Sequence, residues 1–292
     1  VDILINDVSI SFQLEHERTA GDIIDGLDEW LSTTGHRIRE IRLNGQTVDQ
    51  TSAWRDREVA EVERLEILAS SVHQLAIDQL ETIINYTDLL RRVADEGSPE
   101  QLASVLEELP HVTAAVARLV PDIAGALEEP LQDTSPEKPE VRSALGRRAG
   151  EVAQILQQRQ RELLDPEHEL RQTVAALRSI LPAFEEIPVQ LQSGRERDAL
   201  DMVARFAELT GRLLRVFPLA APVRPELASA EVNGASLEQA MSTLTDLLRE
   251  LESAMQNSDL VLVGDLMEYE LLPQLTALTD AFGAILDTPR HT

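Results

Sequence analysis

Two periodicities divide the chain. Over the first 70 residues apolar and polar positions alternate in short runs, whereas from about Ser71 onward apolar residues recur every three or four positions. Asp2 to Asn6 and Ser9 to Glu15 alternate on either side of Asn6-Asp7, which predicts a β-hairpin. Thr19 is placed to cap a helix carrying Ile23, Ile24, Leu27, Trp30 and Leu31 on one face, and Gly35 ends it. Trp30 continues the apolar stripe and is expected in the core. Ile38 to Leu43 alternates again, Asn44-Gly45 is the strongest short turn signal in the chain, Gln46 to Val48 returns, and a last strand is predicted from Val62 to Ala69.

In the second regime Leu75, Ile77, Leu80, Ile83, Ile84, Leu89 and Leu90 keep helical spacing, as do Leu102, Val105, Leu106, Leu109, Val112 and Val116. Ser98-Pro99-Glu100-Gln101 and Ser236-Leu237-Glu238-Gln239 read as capping boxes, and Asp165-Pro166-Glu167 as an N-cap followed by proline at the first helical position. Helices are predicted near 71–96, 99–128, 140–164, 166–193, 196–217, 237–256 and 259–287, kinked or broken at Pro110, Pro121, Pro182, Pro188 and Pro273. The Pro-, Ser- and Asp-rich stretches Glu129 to Pro139 and Phe217 to Ser236 read as loops or linkers.

The helical part repeats itself. With Gly97 aligned to Gly194, Leu109 faces Phe206, Val112 faces Leu209, Val116 faces Leu213, and Arg118-Leu119-Val120-Pro121 faces Arg215-Val216-Phe217-Pro218. A looser third copy turns at Asn257 and departs by carrying Pro273. Each copy is a helical hairpin unable to bury its apolar face alone. The expected organisation is α+β: a sheet domain over 1–70, hairpin 1 over 71–128, a linker over 129–139, a helical region with hairpin 2 over 140–217, a linker over 218–236, and hairpin 3 over 237–292.

The order ββαβ(β)β, with a helix shortly after the second strand and the "LNGQTV" hairpin after it, resembles the ubiquitin-like β-grasp fold. No Gly-Gly tail closes the module, because "LEILASSVHQL" runs on into a helix, so conjugation or sulfur transfer is not expected.

Composition narrows the chemistry. Cysteine is absent, which removes disulfides, thiolate metal sites and Cys nucleophiles. A net charge of −26 disfavours nucleic acid and anionic lipid. Of the basic residues only Lys138 is lysine, as in a GC-rich genome or a salty habitat. No basic segment followed by an apolar run opens the chain. The most apolar later stretch, Leu213 to Val223, is broken by Arg215, Pro218 and Pro222. Neither a signal peptide nor a membrane span is expected, and a cytoplasmic location is.

The histidines His16, His36, His73, His111, His168 and His291 are scattered, and Glu108-Leu109-Pro110-His111, with a proline inside it, is the one Glu-x-x-His. No phosphate-binding loop, dinucleotide fingerprint or GxSxG occurs. The pairs Glu107-Glu108, Glu128-Glu129 and Glu185-Glu186 fit solvated helix faces. No catalytic, cofactor or metal residue is assigned. Candidate partner-binding residues are Trp54, in the irregular "QTSAWRDRE" where it otherwise plugs the small core, and Glu268, Tyr269 and Glu270, on a helix apolar on several sides where Tyr269 is otherwise a core ring.

These features favour a non-enzymatic interaction or scaffold protein that binds protein partners, or itself, through the sheet module and the helical hairpins. An export or assembly chaperone is the alternative, since acidity and helicity resemble flagellar and type III secretion chaperones. A carboxylate-based enzyme is the third reading.

Overall fold

In the computed structural model, residues 1–10, 17–49, 53–131, 138–184, 196–257 and 259–288 are described. The chain divides into two compact units, 1–160 and 161–292, with the division inside one long helix.

The first unit opens with β1 (Asp2–Ile5), β2 (Val8–Ile10), α1 (Ala20–Thr33), β3 (His36–Leu43), β4 (Gln46–Val48) and β5 (Arg64–Ser71). The five strands form one mixed sheet ordered β2-β1-β5-β3-β4, in which β1 runs parallel to β5 and β3 antiparallel to it. The part of the expected second strand from residue 11 to 15 lies outside the described residues. Both hairpin turns use asparagine in the left-handed region, Asn6 at φ 51° and Asn44 at φ 49°, where its short polar side chain is tolerated. Each side chain then clips its turn to the neighbouring chain. Asn6 exchanges two hydrogen bonds with the Ala69 backbone, at 3.0 and 2.9 Å, and Asn44 Oδ1 accepts from the Glu63 and Arg64 amides. The turn residues thereby help fix the register of β5 as well as the direction of the chain.

Helix α1 begins on a capping box: Thr19 Oγ1 accepts the Asp22 amide, and the Asp22 carboxylate accepts the Thr19 amide. The backbone bonds from Arg18 and Thr19 hold the Asp22 carboxyl below its usual pKa. The helix packs Ile23, Ile24, Leu27 and Leu31 against Ile3, Ile41, Leu43, Leu65 and Ile67 of the sheet. Trp54 completes this core at 5% exposure.

Trp30 does not join it. At 50% exposure it corrects the expected core assignment, because the stripe through Ile23, Leu27 and Leu31 already covers the sheet and position 30 falls to its side.

The rest of this unit is helical: α2 (Val72–Glu96), α3 (Pro99–Glu107), α4 (Leu109–Leu119) and α5 (Pro139–Leu164), the last running past the division. Ser71 and Ser98 cap α2 and α3. The helix expected over 99–128 is instead two short ones, broken at Glu108 beside Pro110 and ended before Pro121, which starts a single 3-10 turn. The carboxyl end of α2 is closed by Arg142 of α5, whose guanidinium donates to the carbonyls of Val93, Ala94 and Gly97.

The second unit contains α6 (Pro166–Phe184), α7 (Glu196–Ala220), α8 (Leu237–Gln256), α9 (Leu260–Asp265), a π-helical turn (Leu266–Leu271) and α10 (Leu272–Leu286). Asp165 caps α6 by accepting the His168 amide. The expected end of that helix, with Pro188 and Glu185-Glu186, lies outside the described residues. Helices α6 and α7 pack along each other, and α10 packs on α6 and α8. Phe184 meets Phe206 with ring centroids 4.4 Å apart, and Phe217 meets Phe282 edge-on at 5.7 Å.

The stretch expected as a linker over 218–236 is packed structure. It finishes α7, makes a 3-10 turn (Pro225–Leu227) and a small hairpin of β6 (Glu231–Val232) and β7 (Ala235–Ser236), and buries Leu227 and Val232 in the core. Proline marks where the helix cannot continue; it does not prevent the following residues from packing.

Candidate functional site

The end of α8 and the segment that follows it leave a group of apolar side chains in solvent. Asp259 starts α9 by accepting the Leu262 amide at 3.1 Å, and the run Leu260-Val261-Leu262-Val263 carries more apolar residues than one buried face can hold. Val263, Leu266, Met267 and Leu271 go into the core. Val261 stays 76% exposed, Leu262 36% and Tyr269 67%, with Met255 at the end of α8 also exposed.

The π-helical turn has a local cause. Pro273 has no N–H for the carbonyl of Tyr269, four residues back, so the ordinary ladder cannot pass this point, and Leu266–Leu271 adopt the wider spacing. The third hairpin's departure at Pro273 thus marks a change in helix geometry, and the widened turn carries Glu268, Tyr269 and Glu270, all exposed. The Glu268 carboxylate, which accepts the Tyr269 hydroxyl, raises the phenol pKa above its usual value, and the charge of Asp265 adds to the effect. From Arg249 to Arg290 no other basic residue occurs, while Glu250, Glu252, Asp259, Asp265, Glu268, Glu270, Asp280 and Asp287 lie between them.

Of the residues singled out for partner binding, the structure brings Glu268, Tyr269 and Glu270 together on this surface and places Trp54 elsewhere, in the core of the sheet module. The Trp54 indole donates to the Asp49 carbonyl, and the Arg55 guanidinium lies 5.9 Å from its ring centroid. The exposed indole of the module is Trp30. Glu107 and Glu108 are solvated, Glu128 accepts the Thr113 hydroxyl at 2.9 Å, and Glu129 pairs with Arg148. Among the described residues no three His, Asp or Glu side chains converge as a metal set.

Sequence reading missed a second feature, a set of buried ion pairs. Glu162, at the end of α5, is 2% exposed and faces Arg215 at 3.3 Å and Arg212 at 3.9 Å. Glu169 is held by Arg212 and lies 3.9 Å from Arg161. Glu167 meets Arg171 at 3.2 Å and Arg224 at 3.5 Å. Arg224, itself 2% exposed, also donates to the carbonyls of Ile285 and Thr288, closing the end of α10. Every buried carboxylate here has a guanidinium beside it, an arrangement that locks helix ends together. The available signal was Arg212 and Arg215 about one helical turn apart on α7; Arg212 meets Glu169 in the "PEHEL" start of α6, and Arg215 meets Glu162 at the end of α5.

The second unit also has an open groove of about 660 Å³, lined by Leu214, Phe217 and Pro218 of α7, Leu227 of the 3-10 turn, and Met241 and Thr245 of α8. Its size and mostly apolar lining, with Ser236, Glu238, Ser242 and Thr245 as its polar residues, suit a small apolar ligand or an apolar side chain of a partner.

Comparison with known proteins gives partial matches. Residues 1–71 match the family described as the TP0873 N-terminal domain, and residues 168–281 match a domain of unknown function, DUF8042. A Treponema pallidum (strain Nichols) protein described as uncharacterized is 31% identical over 115 residues, which is 38% of this chain and 55% of that protein. The chain therefore spans about half the length of this relative. No solved structure matches. Among the described residues no helix is long and apolar enough to cross a membrane.

Proposed function

We propose that the protein is a non-enzymatic interaction protein, an adaptor or scaffold that works in the cytoplasm and docks a partner protein on the surface formed by Val261, Leu262 and Tyr269. The observation that carries this reading is the exposure of those side chains, Val261 at 76% and Tyr269 at 67%, the two highest among the large apolar side chains of the described residues, close together on one short segment. Exposed apolar side chains that include a tyrosine, interspersed with carboxylates, have the composition of a protein interface. The π-helical turn supports it, since such turns recur at functional sites.

The sheet module fits a second docking role. Its order β2-β1-β5-β3-β4, with a parallel central pair and one helix across a single face, supports the ubiquitin-like β-grasp reading.

The test is a photo-activated crosslinker at position 269 in cells producing the full chain, with position 249 as control. A discrete crosslinked protein from position 269 that disappears on Val261→Asp is expected. Crosslinks absent from position 269, or identical from both positions, would refute the docking surface. The groove at Leu214 and Met241 favours the chaperone reading as the second choice. That reading predicts that co-production keeps a client protein soluble, and that Met241→Asp abolishes the protection.

A further inference from the structure

Resting on that reading of the Val261–Tyr269 surface, we infer that its occupant is a cationic amphipathic helix of a partner protein. Helical spacing puts Val261, Asp265 and Tyr269 along one strip, with Leu262 one step round the helix. The Asp265 carboxylate therefore stands between the two most exposed apolar side chains. An occupant that covers Val261 and Tyr269 together also covers Asp265, and a carboxylate removed from water without a partner is strongly unfavourable. The occupant must bring a cation to that point, flanked by apolar groups on either side.

The surroundings ask for the same chemistry. Glu268 and Glu270 flank Tyr269, both exposed, and the sequence between Arg249 and Arg290 holds no arginine, lysine or histidine. Against a chain of net charge −26, a second copy meets repulsion, and an anionic lipid surface meets the same. A partner helix with leucine-type residues on one side and lysine or arginine along its edge satisfies both the apolar strip and the charge.

The test is fluorescence anisotropy of the full chain with three labelled synthetic peptides. One is a helix with a leucine face and lysine edges. Another has glutamate in place of lysine, and the last has the first composition scrambled to remove the apolar face. The leucine/lysine helix is expected to bind at least about tenfold more tightly than the others, with Val261→Asp and Tyr269→Ala each weakening it about tenfold, as for central interface residues. Asp265→Asn should weaken it less, and added salt should weaken it further.

Equal binding of the lysine and glutamate helices, both lost in Val261→Asp, overturns the cationic assignment and leaves the docking surface standing. Binding of the scrambled peptide as tightly as the helix, indifference to Val261→Asp and Tyr269→Ala, or no binding of the leucine/lysine helix also overturns the assignment. The crosslink from position 269 then decides separately whether a partner docks there. Self-association by light scattering that Val261→Asp abolishes would make a second copy the occupant and overturn it as well.

Discussion

In the N-terminal sheet module the ion pairs lie outside the core. Arg37 and Asp28 are 54% and 47% exposed at the side chain, and the pairs Arg42–Glu40 and Arg64–Glu66 also reach solvent while α1 and the sheet bury aliphatic residues and Trp54. In the second unit Glu162, Glu167, Glu169 and Arg224 are buried, and their pairs tie the end of α5, the start of α6, α7 and the end of α10. The difference lies in what each region must specify. A sheet with hydrogen-bonded register fixes its own geometry, whereas amphipathic helices slide and rotate unless directional contacts pin them. Exposed pairs contribute little to stability, but a buried pair with one member removed leaves a charge without compensation.

Mutation can break this contrast at its strongest point first. Arg224→Met removes a partner of Glu167 and leaves the carbonyls of Ile285 and Thr288 without that donor, so denaturant unfolding should show a loss of about 3–5 kcal/mol. Next come the two tryptophans. Trp54→Ala should cost about 3 kcal/mol through the cavity it leaves, whereas Trp30→Ala should stay within about 0.5 kcal/mol by the same measurement. Ser236→Ala, which removes the oxygen that accepts the Gln239 amide at the start of α8, should lower stability by about 1 kcal/mol.

A smaller effect appears only at alkaline pH. Tyr86 donates to the Val105 carbonyl at 3.0 Å, and burial raises its pKa to about 12 from an ordinary 10.0, so the folded state keeps the phenolic proton longer than the unfolded chain. Its contribution is complete below 10.0 and is lost as pH rises toward about 12; Tyr86→Phe should flatten the alkaline limb of the stability profile in that window. Smallest of all, Arg249→Ala, in a pair with side chains 72% and 70% exposed, should change stability by less than about 0.5 kcal/mol in thermal unfolding.

Local chemistry in the amino-acid sequence announced much of this architecture. Asn6-Asp7, Asn44-Gly45, Thr19, Ser98 and Ser236 each specify a turn or cap through their own side chain, and those elements stand where the residues place them. What escaped reading depends on partners distant in sequence. Trp30 leaves its expected place in the core because three residues of α1 already fill the sheet, while Trp54, open to either a partner or the core, plugs the core from the irregular segment that follows β4. The packing of 218–236 and the burial of Glu162 and Glu169 follow from tertiary contacts that periodicity does not encode. The candidate site was half legible: Glu268, Tyr269 and Glu270 were marked, but their exposure on a π-helical turn follows from Pro273 and from the competition among Val261, Leu262 and Val263 for one buried face.

Hydrogen–deuterium exchange of the full chain, with and without a saturating leucine/lysine helix, tests most directly whether the exposed end of α8, α9 and the π-helical turn is where a partner sits. Protection on binding should concentrate between Met255 and Leu272 and leave the α7–α8 groove unchanged. Protection that falls instead on Leu214 to Thr245, or on the sheet module alone, would contradict it.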